Sequence, residues 1–223
     1  KAFCSEESKT DKEFLHKYLT LTKCDLYFAD RAILIEGATE RILLPEMIKK
    51  VDAAEQCNLR RKYLSVVEVG GAYAHHFYKF LDFLELKTLV ITDIDGTKPV
   101  KSGKRTAYVA CPSSQAVRSS NAGINRWFDQ SRDILFKKLK DKTDAEKLSG
   151  SRRIAYQVPE DGHTCCGRSF EDAFVFANQA KFNLSGGSTI ELEENAIDLA
   201  EKEAKDGDGT LLLRFEDIDR GRC

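Results

Sequence analysis

Glu36 and Glu40, in the run RAILIEGATERILLPE from Arg31 to Glu46, and Asp93 and Asp95, in ITDIDG, are the residues whose types and spacing suit chemistry. Ala32 to Ile35 reads as a buried strand with Glu36 at its exit, then a glycine turn and a helix whose first turn carries Glu40. Thr88 to Thr92 is a second apolar strand and runs directly into Asp93-Ile94-Asp95-Gly96. In open α/β sheets the carboxyl ends of the strands are where ligands bind. In an extended chain residues i and i+2 face the same side, so the DxD spacing presents two carboxylates together. Like charges that close are unfavourable unless a cation or a proton lies between them. Hard carboxylate oxygens suit Mg²⁺, which keeps water ligands and takes up substrate phosphates. A plainer reading stands beside each signal. DxDG is also an ordinary solvated turn, and the helix dipole alone favours an acid at Glu40. Glu36 has a weaker structural explanation, and the four acids taken together point to a divalent-metal site beside a helix N-terminus.

The elements that must position these acids follow from apolar periodicity. Asp11 to Asp30 has helical spacing and leads into the first strand. Glu40 to Val51 is expected as a helix with Pro45 near its start, where proline does least harm. Leu64 to Val69 reads as a strand closed by Gly70-Gly71, and Ala74 to Leu84 as a helix with Phe77, Phe80, Leu81 and Leu84 on one face. Lys87 to Thr92 is the next strand. Strand and helix in alternation predict an α/β fold with a parallel sheet flanked by helices. Lys98, Lys101, Lys104 and Arg105 form a basic loop directly after the acids. Ile124 to Leu139 reads as a helix, and a mostly helical insertion is expected over 106–150, between a first part of the sheet domain at 1–105 and a second part at 151–223. Arg153 to Val158 is strand-like. Ser169 is a good N-cap for a helix to Asn178, with Asp172 completing an acidic form of the capping box. Ile190 to Lys205 reads as a helix, and Leu211 to Phe215 as a short strand or helix.

The 223 residues carry a net charge of −1, so composition does not call for nucleic acid, and any such partner must be held by a local basic patch or by metal. No apolar run approaches the roughly 20 residues of a membrane helix. The polar start, Lys1 to Asp11, lacks the pattern of a secretory signal. The absence of an initial methionine suggests a piece of a longer protein. Seven scattered cysteines fit a reducing, cytoplasmic setting better than a disulfide framework.

EGxxE after one strand and DxD after a later one resemble the Toprim domain of topoisomerases, primases and related nucleases. The stretches YFADRAILIEGATERILLPEM, VVEVGGAYAHHFYKFLDFLELKTLVITDIDG, SSNAGINRWF, RRIAYQVPE and GRSFEDAF together resemble the OLD (overcoming lysogenisation defect) family of nucleases. The resemblance implies a Toprim fold with a helical insertion and cleavage of DNA with Mg²⁺ or Mn²⁺, two ions being expected and Ca²⁺ binding without supporting activity. It implies that Glu36, Asp93 and Asp95 hold one ion, and that Glu40, Ser169 and Glu171 hold or border a second. It implies a catalytic lysine, for which Lys205 is the best counterpart and Lys202 the next. It further implies an N-terminal ABC-type ATPase domain in the full-length protein, a homo-oligomer formed through that region, and a role in defence against phage.

This chemistry agrees with the residues. Phosphodiester hydrolysis needs an activated water and a stabilised leaving oxygen, which two ions about 4 Å apart supply. A lysine steadies the developing charge, and the basic loop suits the DNA backbone, or else is simply solvated. Primase- or topoisomerase-like chemistry and a non-cleaving Toprim scaffold are the alternatives. His163, Cys165 and Cys166 have poor spacing for zinc. His75 and His76 suit the surface or core better than the site, Trp127 and Phe128 are expected to pack the insertion's core, and Glu68 is left undecided between a structural place and the site.

Overall fold

The structure, a computed structural model, describes residues 24–103, 105–128, 134–159 and 166–178. Its strands and helices, in chain order, are β1 (Arg31–Ile35), α1 (Ala38–Glu55), β2 (Leu64–Glu68), α2 (Tyr78–Phe83), β3 (Lys87–Ile91), β4 (Gly96–Ser102), β5 (Arg105–Ala110), β6 (Arg118–Ser119), α3 (Ala122–Trp127), α4 (Phe136–Lys140), β7 (Leu148–Ser149), β8 (Arg152–Ala155) and α5 (Phe170–Ala177). They divide into two compact units. Among the described residues, one holds 24–92, 122–128 and 142–155, the other 93–103, 105–121, 134–141, 156–159 and 166–178.

The first unit is built on a five-stranded sheet in the order β2-β1-β3-β8-β7. The pairs β1–β2, β1–β3 and β3–β8 are parallel, and only β7–β8 is antiparallel. A central parallel strand is covered on both faces, so it reads as an unbroken apolar run. Ala32 to Ile35 is buried throughout, whereas β2 alternates buried and half-buried residues. Ile33 and Ile35 pack with Leu44 of α1, and Ile48, Val66, Leu89 and Ile91 close around them. Leu34, Val67 and Val90 are in register on the opposite face and fully buried. This is the α/β architecture expected of a Toprim-like fold.

Several local expectations change. α1 begins at Ala38 and runs to Glu55, so Pro45 lies inside it and the Arg41 carbonyl lacks its intrahelical donor. The helix expected from Ala74 is a 3-10 stretch, Gly71–Phe77, before α2 takes over. Of the basic loop expected after the acids, 97–102 belong to strand β4 and Arg105 opens β5: β4 pairs antiparallel with β5, and β6 completes a three-stranded sheet in the second unit, order β5-β4-β6. The single helix over 124–139 is two short ones, α3 and α4, because Leu135 is extended and bridges to Arg118. The segment 106–150, expected to be mostly helical, therefore mixes strands β5, β6 and β7 with α3 and α4. The readings of 11–23, 190–205 and 211–215 lie outside the described residues.

Trp127 does not pack an insertion core. It meets Tyr78 edge to face at 5.2 Å, within the first unit. The Arg152 guanidinium lies over both rings, 4.7 Å from Tyr78 and 5.0 Å from Trp127. Two parallel bonds of 2.6 and 2.9 Å join it to Asp82, so one arginine ties β8, α2 and α3 together. Burial pushes the Tyr78 phenol well above its ordinary pKa, with Arg152 opposing the shift, and its hydroxyl donates to the Gly123 carbonyl. Arg152→Ala removes the fork and both ring contacts. It is expected to lower stability by about 2–3 kcal/mol in urea titrations, because Asp82 remains half exposed and regains water.

Candidate functional site

Parallel pairing sets the carboxyl ends of β1, β2 and β3 along one edge of the sheet. Glu36 follows the last residue of β1 and is half-buried. The hydroxyl of buried Thr92, one residue past β3, donates to its carboxylate in a short hydrogen bond. Asp93 is the next residue in the chain after Thr92. Glu40 is almost fully buried, and its Oε2 accepts the N–H of Gly37, the N-cap of α1, at 3.2 Å. Glycine has no side chain to reciprocate, so only half a capping box forms. Glu68 is not mid-strand but the final residue of β2, opposite Ile35, and it takes the Arg41 guanidinium at 3.1 Å. The sheet edge therefore carries Glu68 as well as Glu36.

In the second unit, Asp93 and Asp95 lie in a turn rather than on an alternating strand. β3 has ended at Ile91, and Asp95 sits at φ +48°, a left-handed conformation that aspartate tolerates better than most residues. Gln157, Asn121 and Ser120 hold the turn. Gln157 donates to Asp93 Oδ1 at 2.7 Å while its carbonyl accepts the Ile94 N–H, also at 2.7 Å. Fully buried Asn121 donates to the Asp93 carbonyl at 2.9 Å and lies 3.5 Å from Asp95 Oδ2, the outer limit of a hydrogen bond. Ser120 donates its N–H to the Asp95 carbonyl at 3.0 Å. Gly96 follows because a Cβ there would stand 2.7 Å from Ala116 Cβ and 3.1 Å from a Phe136 ring atom.

Ser169 is the N-cap of α5. Its hydroxyl accepts the Asp172 N–H at 3.3 Å and Asp172 Oδ2 accepts the Ser169 N–H at 3.1 Å, the box expected from the sequence. Glu171 is half-buried in the first turn. Gly167 passes so close to α5 that a Cβ would lie 2.3 Å from the Ala173 nitrogen. Burial pushes the Asp172 carboxyl above its ordinary value, against the capping N–H groups and Arg168. Lys98, Lys101 and Arg105 stand on β4 and β5, whereas Lys104, Lys205, Lys202, His163 and Cys165 lie outside the described residues.

Among the described residues, no three His, Cys, Asp or Glu side chains are gathered tightly enough to grip a metal ion as they stand. Within each unit the donor chemistry suits a hard divalent ion: Glu36 in the first offers a carboxylate oriented by a neutral hydroxyl, and Asp93 and Asp95 in the second offer carboxylates beside neutral amides. Thr92, Gln157 and Asn121 went unnoticed in the sequence as site residues. The available signals were a hydroxyl directly before DxD and two motif-bearing stretches, SSNAGINRWF and RRIAYQVPE, that otherwise lacked a chemical task.

A mixed sheet of mainly parallel strands flanked by helices, with acids at its strand exits, is consistent with a Toprim α/β fold, a class whose members generally bind divalent metals. Residues 27–95 match the family model of the overcoming lysogenization defect protein-like Toprim domain, in agreement with the resemblance drawn from the motifs. Over 175 residues, 78% of its length, the chain is 25% identical to an endonuclease GajA of Bacillus cereus (strain HuB5-5), covering 23% of that protein. Over 81 residues, 36% of its length, it is 33% identical to an endonuclease GajA of Bacillus cereus (strain VD045), covering 13% of it. The chain thus spans less than a quarter of the length of these curated relatives. No helix among the described residues is long and apolar enough to cross a membrane.

Gln157→Leu leaves Asp93 and the Ile94 N–H short of a partner at similar volume. A loss of about 1–2 kcal/mol is expected in thermal or urea unfolding. Asp172 gives a pH test. Its folded-state pKa is raised, so the native chain holds a proton that the unfolded chain releases near 3.8, and its contribution to stability is lost as pH rises through the folded value. Asp172→Asn keeps an acceptor without the buried charge. The melting temperature of the variant is expected to gain on that of the parent as pH is raised from 4 towards neutrality.

Proposed function

We propose that this chain is the catalytic region of a divalent-metal-dependent DNA endonuclease. The observation that carries the reading is the strand edge where Thr92 holds Glu36 and the next residue opens the DxD turn. The 25% identity to one endonuclease GajA over 78% of the chain supports it. In this reading Glu36, Asp93 and Asp95 hold one Mg²⁺ or Mn²⁺, and Glu40, Ser169 and Glu171 hold or border a second. Bound ions would supply an activated water and charge stabilisation at the leaving oxygen. The chain's own part is orientation. Thr92 and Gln157 fix the rotamers of Glu36 and Asp93, Asn121 steadies the turn between the two aspartates, and Lys205 supplies a positive charge to the developing phosphorane-like state. Of the basic stretch after the acids, Lys101 supplies a cation for the DNA backbone, whereas Lys98 and Arg105 stand on the other face of the small sheet. We further propose a cytoplasmic enzyme of phage defence whose longer form carries an ABC-type ATPase domain and assembles through it. The seven scattered cysteines of the sequence suit a reducing compartment.

Purified protein with supercoiled plasmid and Mg²⁺ or Mn²⁺ is expected to yield nicked and linear DNA, and EDTA to stop the reaction. Glu36→Ala and Asp93→Ala are each expected to lower the rate at least about 100-fold, a typical cost for removing a group essential to transition-state stabilisation. Cleavage that survives both substitutions rejects the site, and template-dependent nucleotide incorporation would point to primase-like chemistry instead.

A further inference from the structure

The small sheet β5-β4-β6 has two faces, and its cations do not share one. Antiparallel partners lie on the same face, and side chains alternate along each strand. Lys98 pairs with Val109 and Ser102 with Arg105, which puts Lys98 and Arg105 on one face. Lys101 pairs with Thr106, Pro99 with Tyr108 and Thr97 with Arg118, which puts Lys101, Tyr108 and Arg118 on the other. The cation–π contact between Arg118 and Tyr108, 4.8 Å from guanidinium carbon to ring centre, crosses β4 and confirms that these two share a face. The two sets differ in occupation as well. Lys98 is hydrogen-bonded to Gln115. Among the described residues Arg118 makes no ion pair, and its Nε is buried without a hydrogen-bond partner.

We infer that the face carrying Lys101, Tyr108 and Arg118 is the docking surface for the sugar–phosphate backbone of DNA. This rests on the nuclease reading and names the part of the chain that would hold the substrate. Charge complementarity is the first support. Lys101 and Arg118 are the described cations of this face, and no acid occurs anywhere from Gly96 to Asn121, in a chain whose net charge is −1. Connectivity is the second. β4 leaves directly from Asp95, and β6 runs on into Ser120 and Asn121, which bind the Asp93–Asp95 turn. A backbone lying along this face is therefore led to the carboxylates. Geometry is the third. A guanidinium held over a ring is fixed in place while its terminal NH2 groups can still donate to phosphate oxygens, and Tyr108, 40% exposed, offers ring surface to a sugar or an unpaired base.

The test is binding without cleavage. Fluorescence anisotropy with a labelled 20-base-pair duplex and its single strand, in EDTA, compares the two faces across a salt series. Arg118→Gln is expected to weaken binding about tenfold and to reduce the salt slope by about one. Arg118→Lys is expected to keep the slope while losing the stacked geometry, and Tyr108→Ala to weaken the single strand more than the duplex. Circular dichroism melts show that each variant is folded. Lys98→Gln and Arg105→Gln are expected to cost less than about threefold. Wild-type affinity in folded Arg118→Gln and Tyr108→Ala overturns the inference, as does an equal or greater loss from the Lys98 and Arg105 changes, or no binding by the parent protein. Glu36→Ala separates this from the nuclease proposal: it is expected to bind DNA like the parent and not cut it. If the parent binds through this face and never cuts, the nuclease proposal fails while the docking surface stands.

Discussion

The parallel pairing of β1 with β3 is the constraint on which the other features of the site depend. Arg31 to Leu34 are in register with Lys87 to Val90, so the two strands end at the same level. Only then does Thr92 reach the Glu36 carboxylate across an interval of 56 residues. The pairing is maintained by burial on both sides. Ile33, Ile35 and Leu44 close one face, and Leu34, Val67 and Val90 the other. Because side chains repeat every two residues, a slip of one would turn every buried residue of β1 to the opposite face.

The acids are held at three levels of restraint. Glu36 leans on a buried hydroxyl, Asp93 on an amide that is itself fixed by the Ile94 N–H, and Asp95 on a turn whose backbone is bonded to Ser120 and Asn121. Glu40 differs, because its carboxylate closes the N-terminus of α1 and its burial follows from that task. Ser169 and Asp172 likewise answer each other at the start of α5. These restraints come from neutral donors, which orient carboxylates without cancelling their charge.

Outside this framework the chain is tied by fewer, larger contacts. Arg152 gathers Tyr78, Trp127 and Asp82 into one cluster and so attaches α3 and β8 to α2. Gly96 and Gly167 mark the places where backbone passes too close to its neighbours for a side chain. The first lies directly behind the DxD turn and the second at the foot of α5, so close packing reaches both stretches that bear acids.

Periodicity and motif were enough to read the parallel α/β sheet, the acid-tipped exits of β1 and β3, and the Ser169–Asp172 cap, because each depends on residues near one another in sequence. Family motifs spread over the chain also pointed to the Toprim class, which the match over residues 27–95 supports. Features that depend on distant partners were not legible. The basic stretch after Asp95 looked like a loop because lysines, a proline and a glycine carry little strand propensity. Pairing with β5 and β6 made β4 a strand and divided its cations between two faces. The helix expected across 124–139 was divided because Leu135 bridges to Arg118 in extended form. Thr92, Asn121 and Gln157 are unremarkable as letters. Tertiary structure alone decided their task, because a hydrogen bond between residues 56 or 64 positions apart exists only after the sheet has brought its strand ends together.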